Sequence, residues 1–225
     1  MLEQKLLEVL ELVKKGNPYG EPVTLVGATK TLSADVINKA INLGLTVVAE
    51  NKVQEFREKT DLLDKSASQH FIGHLQTNKV KYLVGKVELI HSVDSLHLAE
   101  EINRVALNKG VKQNVLVEIN VGGELSKSGF DLNNAKENIN KIISEFESLN
   151  VLGLMAMLPK SEDKEYLTSL QRKMRALYDE CKADGLNFKH LSMGMSNDYE
   201  LAIKNGSNMI RLGTAIFGQR NYGEK

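Results

Sequence analysis

One cysteine, Cys181, occurs in 225 residues. An intramolecular disulfide is therefore impossible, and an oxidising compartment has no support. Charge of one sign is also lacking: Lys plus Arg is 29 and Asp plus Glu is 29. Nucleic-acid binders carry a basic excess, so that class is excluded, as is attraction to an anionic membrane surface. The metal-ligand spacings CxxC and HExxH are absent, and the five histidines are scattered. No apolar run approaches the ~18 residues that cross a bilayer. No low-complexity stretch or linker marks a second domain, so one domain spanning 1–225 is expected. The first 16 residues mix Glu and Lys into an apolar period. They read as an amphipathic helix rather than a signal peptide, and the expected compartment is the cytoplasm.

What is present is a repeating pattern. Apolar runs at 24–30, 46–50, 70–74, 87–93, 115–121, 151–157, 190–196 and 208–217 read as strands. Between them lie segments of helical period, among them 34–43 behind a Ser33 N-cap, 52–64, 76–84 and 95–109. Strands alternating with helices predict a parallel sheet, because each parallel neighbour needs a crossover. Runs apolar on both faces predict that both faces are covered. Eight such units predict a (β/α)8 TIM barrel, with the N-terminal helix completing the outer ring, since the last strand leaves no room for a helix after it. A doubly wound open sheet is the alternative. It more often carries a Gly-rich turn after its first strand, which the Thr29-Lys30-Thr31-Leu32 segment is not.

Active sites of such barrels gather at the C-terminal ends of the strands. Two features there point to chemistry. Lys30 ends the first strand on the face of Val26 and Ala28. If that face is the lumen, burial lowers the cost of the neutral amine, which can condense with an aldehyde to give a Schiff base. The competing reading is a lysine that snorkels to solvent. The second feature is the pair of last strand ends. Ser196 and Thr214 supply hydroxyls, Gly213 allows close approach of an anion, and Asp198 is placed to cap the following helix. Arg211 alternates with Ile210 and Leu212 and so points inward, where it needs a partner. An internal salt bridge to Asp94 or Glu118 is the competing account. The glycine spacing of residues 213–218 is a P-loop decoy, because Gln219-Arg220 follows where Lys and Ser/Thr are required. A buried amine, a phosphate cradle and an inward guanidinium together suit one ligand, pyridoxal 5′-phosphate.

Eight motifs, in order, carry a resemblance over nearly the whole chain. They are VGATKT (26–31), ENKVQE (50–55), HFIGHLQTNK (70–79), HSVD (91–94), NVGGELSKSG (120–129), GLMA (153–156), LSMGMS (191–196) and RLGTAIFG (211–218). The chain resembles the pyridoxal phosphate homeostasis protein family, single-domain relatives of the alanine racemase N-terminal barrel. The resemblance implies that Lys30 forms the Schiff base and that Arg211 faces the pyridine nitrogen. It further implies that Ser196, Gly213 and Thr214 bind the phosphate and that Asn51 lies near the ring. Ala49, Gln69 and Met157-Leu158 depart from the family's usual residues, and Ala49 bears on the pose of Asn51. An arginine at the pyridine nitrogen disfavours its protonation and weakens the ring as an electron sink. The racemases take their second acid/base from a C-terminal domain that is not in this sequence. A cofactor-holding protein that buffers pyridoxal phosphate or delivers it to apo pyridoxal-phosphate enzymes is therefore expected, as a monomer. A weak amino-acid racemase and a cofactor-free class I aldolase are the enzymatic alternatives.

Overall fold

A computed structural model describes residues 2–124 and 127–218. Leu125 and Ser126 of the predicted 120–129 motif, and the Gln219-Arg220 pair, lie outside the described residues. The strands are β1 (Thr24–Ala28), β2 (Val47–Glu50), β3 (Ser68–Phe71), β4 (Leu89–Val93), β5 (Gln113–Asn120), β6 (Phe130–Asp131), β7 (Leu149–Met155), β8 (His190–Ser192) and β9 (Met209–Leu212). Eight of them close a parallel ring, β1-β2-β3-β4-β5-β7-β8-β9, with β9 returning to β1. The two residues of β6 add to the C-terminal end of β5. The ring excludes the open-sheet alternative.

Alternation along each strand sorts the side chains into two layers. Val26, Ala28, Val47, Ala49, Ile72, Leu89, Leu116, Leu152, Met155 and Met209 form a separate apolar cluster inside the ring. The opposite faces pack on helices: α1 (Leu2–Lys14), α2 (Ala34–Asn42), α3 (Val53–Lys59), α4 (Leu96–Lys109), α5 (Ala135–Glu145), α6 (Lys164–Ala183), α7 (Tyr199–Lys204) and α8 (Thr214–Phe217). Leu25 of β1 and Ile210 of β9 thus share an outer cluster with Leu6, Val9 and Val13 of α1. Each of those buried side chains stabilises the contact by about 1.5–3 kcal/mol. The N-terminal helix completes the outer ring beside the last strand, as its apolar period predicts. Gly153 has φ 147°, and a Cβ there would collide with the His190 carbonyl. Glycine is what lets β7 and β8 approach at that point.

Local expectations differ in several places, and the strand expected over 190–196 ends at Ser192. The first strand ends at Ala28 rather than residue 30, because Thr29 turns its hydroxyl to Ala49 O and Glu50 Oε1. The 52–64 helix stops at Lys59. Thr77–Tyr82 is a 3₁₀ turn rather than an α-helix. The last strand ends at Leu212, and α8 follows it where no helix was expected. Ser33 caps α2 as predicted, accepting from the Val36 amide.

Candidate functional site

The turn after β1 is built from the inside. Thr29 N donates to Ala49 O at 2.9 Å, and Thr29 Oγ1 to Glu50 Oε1 at 2.8 Å. Lys59 Nζ reaches back from α3 to Glu50 Oε1 (2.9 Å), Glu55 Oε2 (2.8 Å) and Thr29 O (3.2 Å). Glu55 Oε2 in turn accepts from Thr31 N at 2.6 Å. That grip holds Thr31 at φ 65°, a left-handed conformation that costs a β-branched residue energy. Burial pushes the Glu50 carboxyl up, against the opposing pull of Lys59 and Thr29. For Glu55 the burial effect is outweighed by Lys59 and the Thr31 amide, so its carboxyl is held down.

Lys30 rides on this clamped turn. It is half-buried rather than buried, and it follows the strand instead of ending it. Among the described residues its amine has no hydrogen-bond or ion-pair partner, whereas Lys59, 29 residues on, has three. Lys30 lines a cavity of about 290 Å³ together with Asn51, Ser196, Arg211, Gly213 and Thr214. All six residues singled out in the sequence therefore meet at one cavity at the C-terminal mouth of the barrel. Met157, Met195 and Asn197 complete much of its wall and were not anticipated as site residues.

On the β8–β9 side, Ser196 Oγ accepts from Ala215 N at 3.2 Å, tying the two loops together and leaving its O–H to donate. The Thr214 hydroxyl is exposed to the cavity and has no partner among the described residues. Gly213 has φ −114°, so what it contributes is the missing side chain rather than a special conformation. Asp198 does not cap α7. Its Oδ1 accepts from Met195 N at 2.7 Å and closes the loop before the helix.

Arg211 is not salt-bridged to Asp94 or Glu118. Its guanidinium donates to Ser192 O (2.8 Å), Ser192 Oγ (2.7 Å) and Ala156 O (2.9 Å), all neutral. Burial lowers its pKa to about 10, with Glu118 and Asp198 opposing from a distance, so it remains a cation at neutral pH. Behind it runs a chain that the sequence reading missed. Ser192 Oγ meets His91 Nδ1 at 3.1 Å, and His91 Nε2 meets His70 Nδ1 at 3.0 Å. Burial holds His70 neutral, its pKa about 3, and drives His91 well below its ordinary value. Arg211 can only donate, so Ser192 Oγ accepts from it, and one proton is shared across each of the Ser192–His91 and His91–His70 contacts. The available signal was parity: His91 shares the face of Leu89, and Ser192 that of His190, on inward positions.

Asn51 follows β2, and Gly73 packs directly on it; a Cβ at Gly73 would collide with the Asn51 carbonyl. Asn51 lines the cavity, while its Oδ1 is buried without a hydrogen-bond partner.

The comparisons with known proteins agree with this geometry. Residues 8–221 match the family described as "Alanine racemase, N-terminal domain". The chain is 45% identical over 225 residues to the pyridoxal phosphate homeostasis protein of Aquifex aeolicus (strain VF5), covering 97% of this chain and 98% of that protein. It is 36% identical over 211 residues to the pyridoxal phosphate homeostasis protein of Escherichia coli (strain K12), covering 91% and 89%. Among solved structures, PipY of Synechococcus elongatus PCC7942 with PLP bound superposes with a TM-score of 0.82 at 29% identity, over 97% of this chain and 100% of that one. An alanine racemase of Clostridium difficile 630 in complex with cycloserine is similar in fold alone, with a TM-score of 0.79 at 18% identity, over 98% of this chain and 60% of that one. The barrel, the motif order and the near full-length matches converge: this chain belongs to the alanine racemase N-terminal domain family, alongside the pyridoxal phosphate homeostasis proteins.

Proposed function

We propose that the protein is a single-domain, monomeric holder of pyridoxal 5′-phosphate in the cytoplasm. It keeps the cofactor as a Schiff base on Lys30 and buffers it or delivers it to apoenzymes. The observation that carries this reading is the convergence of Lys30, Arg211, Ser196, Gly213 and Thr214 on one cavity, with the Lys30 amine unpartnered. The residues fit the group. Lys30 supplies the amine, Ser196 and Thr214 have hydroxyls to donate to a phosphate, and Arg211 presents donors to an unprotonated ring nitrogen. When bound, the cofactor supplies an aldehyde that condenses with primary amines.

The protein's own residues favour holding over turnover. Arg211 stays charged at neutral pH, and a cation there disfavours a second positive charge on a ring nitrogen beside it. Among the described residues lining the cavity, Lys30 is the one side chain suited to carry a proton to and from a bound amino acid. Two-sided proton transfer needs such a group on each face. The name of the relatives and the bound PLP of PipY support the same reading.

The test is a visible spectrum of the purified protein after addition of pyridoxal phosphate, then borohydride reduction and peptide mapping. A yellow protein with the reduced adduct on Lys30 is expected. A protein that takes up no cofactor, or carries it on another lysine, overturns the assignment. Rapid deuterium exchange at the α-carbon of added amino acids would remove the non-enzymatic part alone.

A further inference from the structure

Beside the cofactor cavity lies a second chamber of about 280 Å³, which shares Asn51, Ile72 and Met157 with it. Its far wall holds Glu118, an inward residue of β5 that is 8% exposed. Among the described residues the Glu118 carboxyl makes no hydrogen bond and no ion pair. Asn51 Oδ1, in the shared wall, is likewise buried and unpartnered. Of these two acceptors it is the Glu118 carboxyl that lines the chamber, with nothing among the described residues donating to it.

Among the donors in the same wall, Lys127, His74 and Ser128 already have partners. The Lys127 ammonium pairs with Glu124. His74 Nδ1 lies 3.1 Å from Asp94 Oδ2, and Ser128 Oγ is 3.4 Å from the same nitrogen. An orphaned buried carboxyl costs stability unless a cation or donor meets it. A divalent metal does not fit the deficit, because no group of three or more His, Cys, Asp or Glu side chains among the described residues could hold one. A primary ammonium does fit. It brings one positive charge and three N–H donors at a single atom.

We propose that this side chamber binds a small primary amine, held as its ammonium against the Glu118 carboxylate. Burial and the neighbouring Asp94 raise the Glu118 pKa to about 7, against the opposing pull of Arg211 and His74, so a further cation beside it would complete its ionisation near neutrality. The shared Asn51 places this ligand next to whatever fills the Lys30 cavity. Binding to the chamber does not depend on the cofactor reading, and it is tested on protein without cofactor.

The experiment follows 13C-methylammonium chloride by NMR line broadening on the unloaded protein, with cofactor uptake measured separately by spectrum. Glu118→Gln keeps the shape and removes the charge; losing a charge-assisted hydrogen bond there is expected to weaken binding about tenfold or more. Asp94→Asn, which leaves the Glu118 carboxyl in place, is expected to retain binding. L-alanine that displaces the probe shows that amino acids are admitted, and alanine that does not shows a site for simple amines; both keep the ammonium assignment. No binding by the wild type, or equal binding by Glu118→Gln, overturns the proposal. Displacement by potassium chloride as effective as by unlabelled methylammonium overturns the assignment to amines.

Discussion

The two sides of the barrel mouth are opposites. The β9–β1 side offers unspent donors: the Lys30 amine, the Thr214 hydroxyl and the Ser196 O–H, backed by a charged Arg211. The β2–β5 side holds unpaired acceptors, the Glu118 carboxyl on its chamber and Asn51 Oδ1 within the buried wall. Protein interiors leave few polar groups unpaired. A mouth with a surplus of each kind on opposite sides is therefore arranged for ligands of opposite charge. The phosphate end of an anion suits the first side and an ammonium the second. Lys59 shows what a lysine looks like when it serves the fold instead. It has three bonds and no freedom, one of them to the carbonyl of Thr29, the residue before Lys30.

The contrast can be broken at several points. The largest effect is expected for Lys30→Ala, which should abolish covalent loading entirely while leaving urea stability unchanged, since its amine holds nothing in the fold. Undiminished trapping of an adduct by borohydride would show that another amine does the work. Next is Lys59→Met, which strands Glu50 as a buried carboxylate with only Thr29 to hold it. A loss of about 3 kcal/mol is expected by urea denaturation, with cofactor loading weakened as the turn loosens. A change below about 1 kcal/mol would mean that the turn does not rely on the pair.

Glu118→Gln tests the acceptor side in the opposite direction. The folded pKa of about 7 lies above the usual glutamate value near 4.5. The unfolded chain then releases this proton first, so native stability is full below pH 4.5 and falls as pH rises toward 7. The variant lacks that cost. It should match the wild type in acid and exceed it by roughly 3 kcal/mol above pH 7. Parallel pH profiles for the two proteins would show that the carboxyl is satisfied in solution. The smallest effect is expected for Thr214→Val, which removes one hydroxyl from the phosphate side. Cofactor retention should weaken by about 1 kcal/mol, roughly fivefold, in a fluorescence titration. An unchanged affinity would take Thr214 out of the site.

Much of this was legible from the residues. The ring follows from alternation and two-faced apolar runs, and the six cavity residues sit at strand ends or just beyond. What was not legible depends on bonds between distant segments. Nothing in Thr29 announces that its hydroxyl will bend the chain one turn early. The period of 76–84 suits an α-helix, yet the segment tightens into a 3₁₀ turn as Val80 is drawn into the core. For Arg211 a charged partner is the natural expectation of an inward guanidinium. The fold instead presents the carbonyls of Ser192 and Ala156 at the right spots, which no spacing in one sequence reveals. Glu118 was noticed only as a partner for Arg211; its isolation became visible with the chamber around it.

The pairing of β1 with β9 has a consequence in time. Lys30 leaves the ribosome early, while Arg211, Gly213 and Thr214 are among the last parts of the barrel to be made. The ring cannot shut until Thr24 to Gly27 meet Met209 to Leu212, a contact across most of the sequence and a slow one to form. A ligand that needs both ends binds only finished molecules and stabilises them by mass action. Loading with cargo would then mark the completion of synthesis, and a truncated or half-closed chain would carry none.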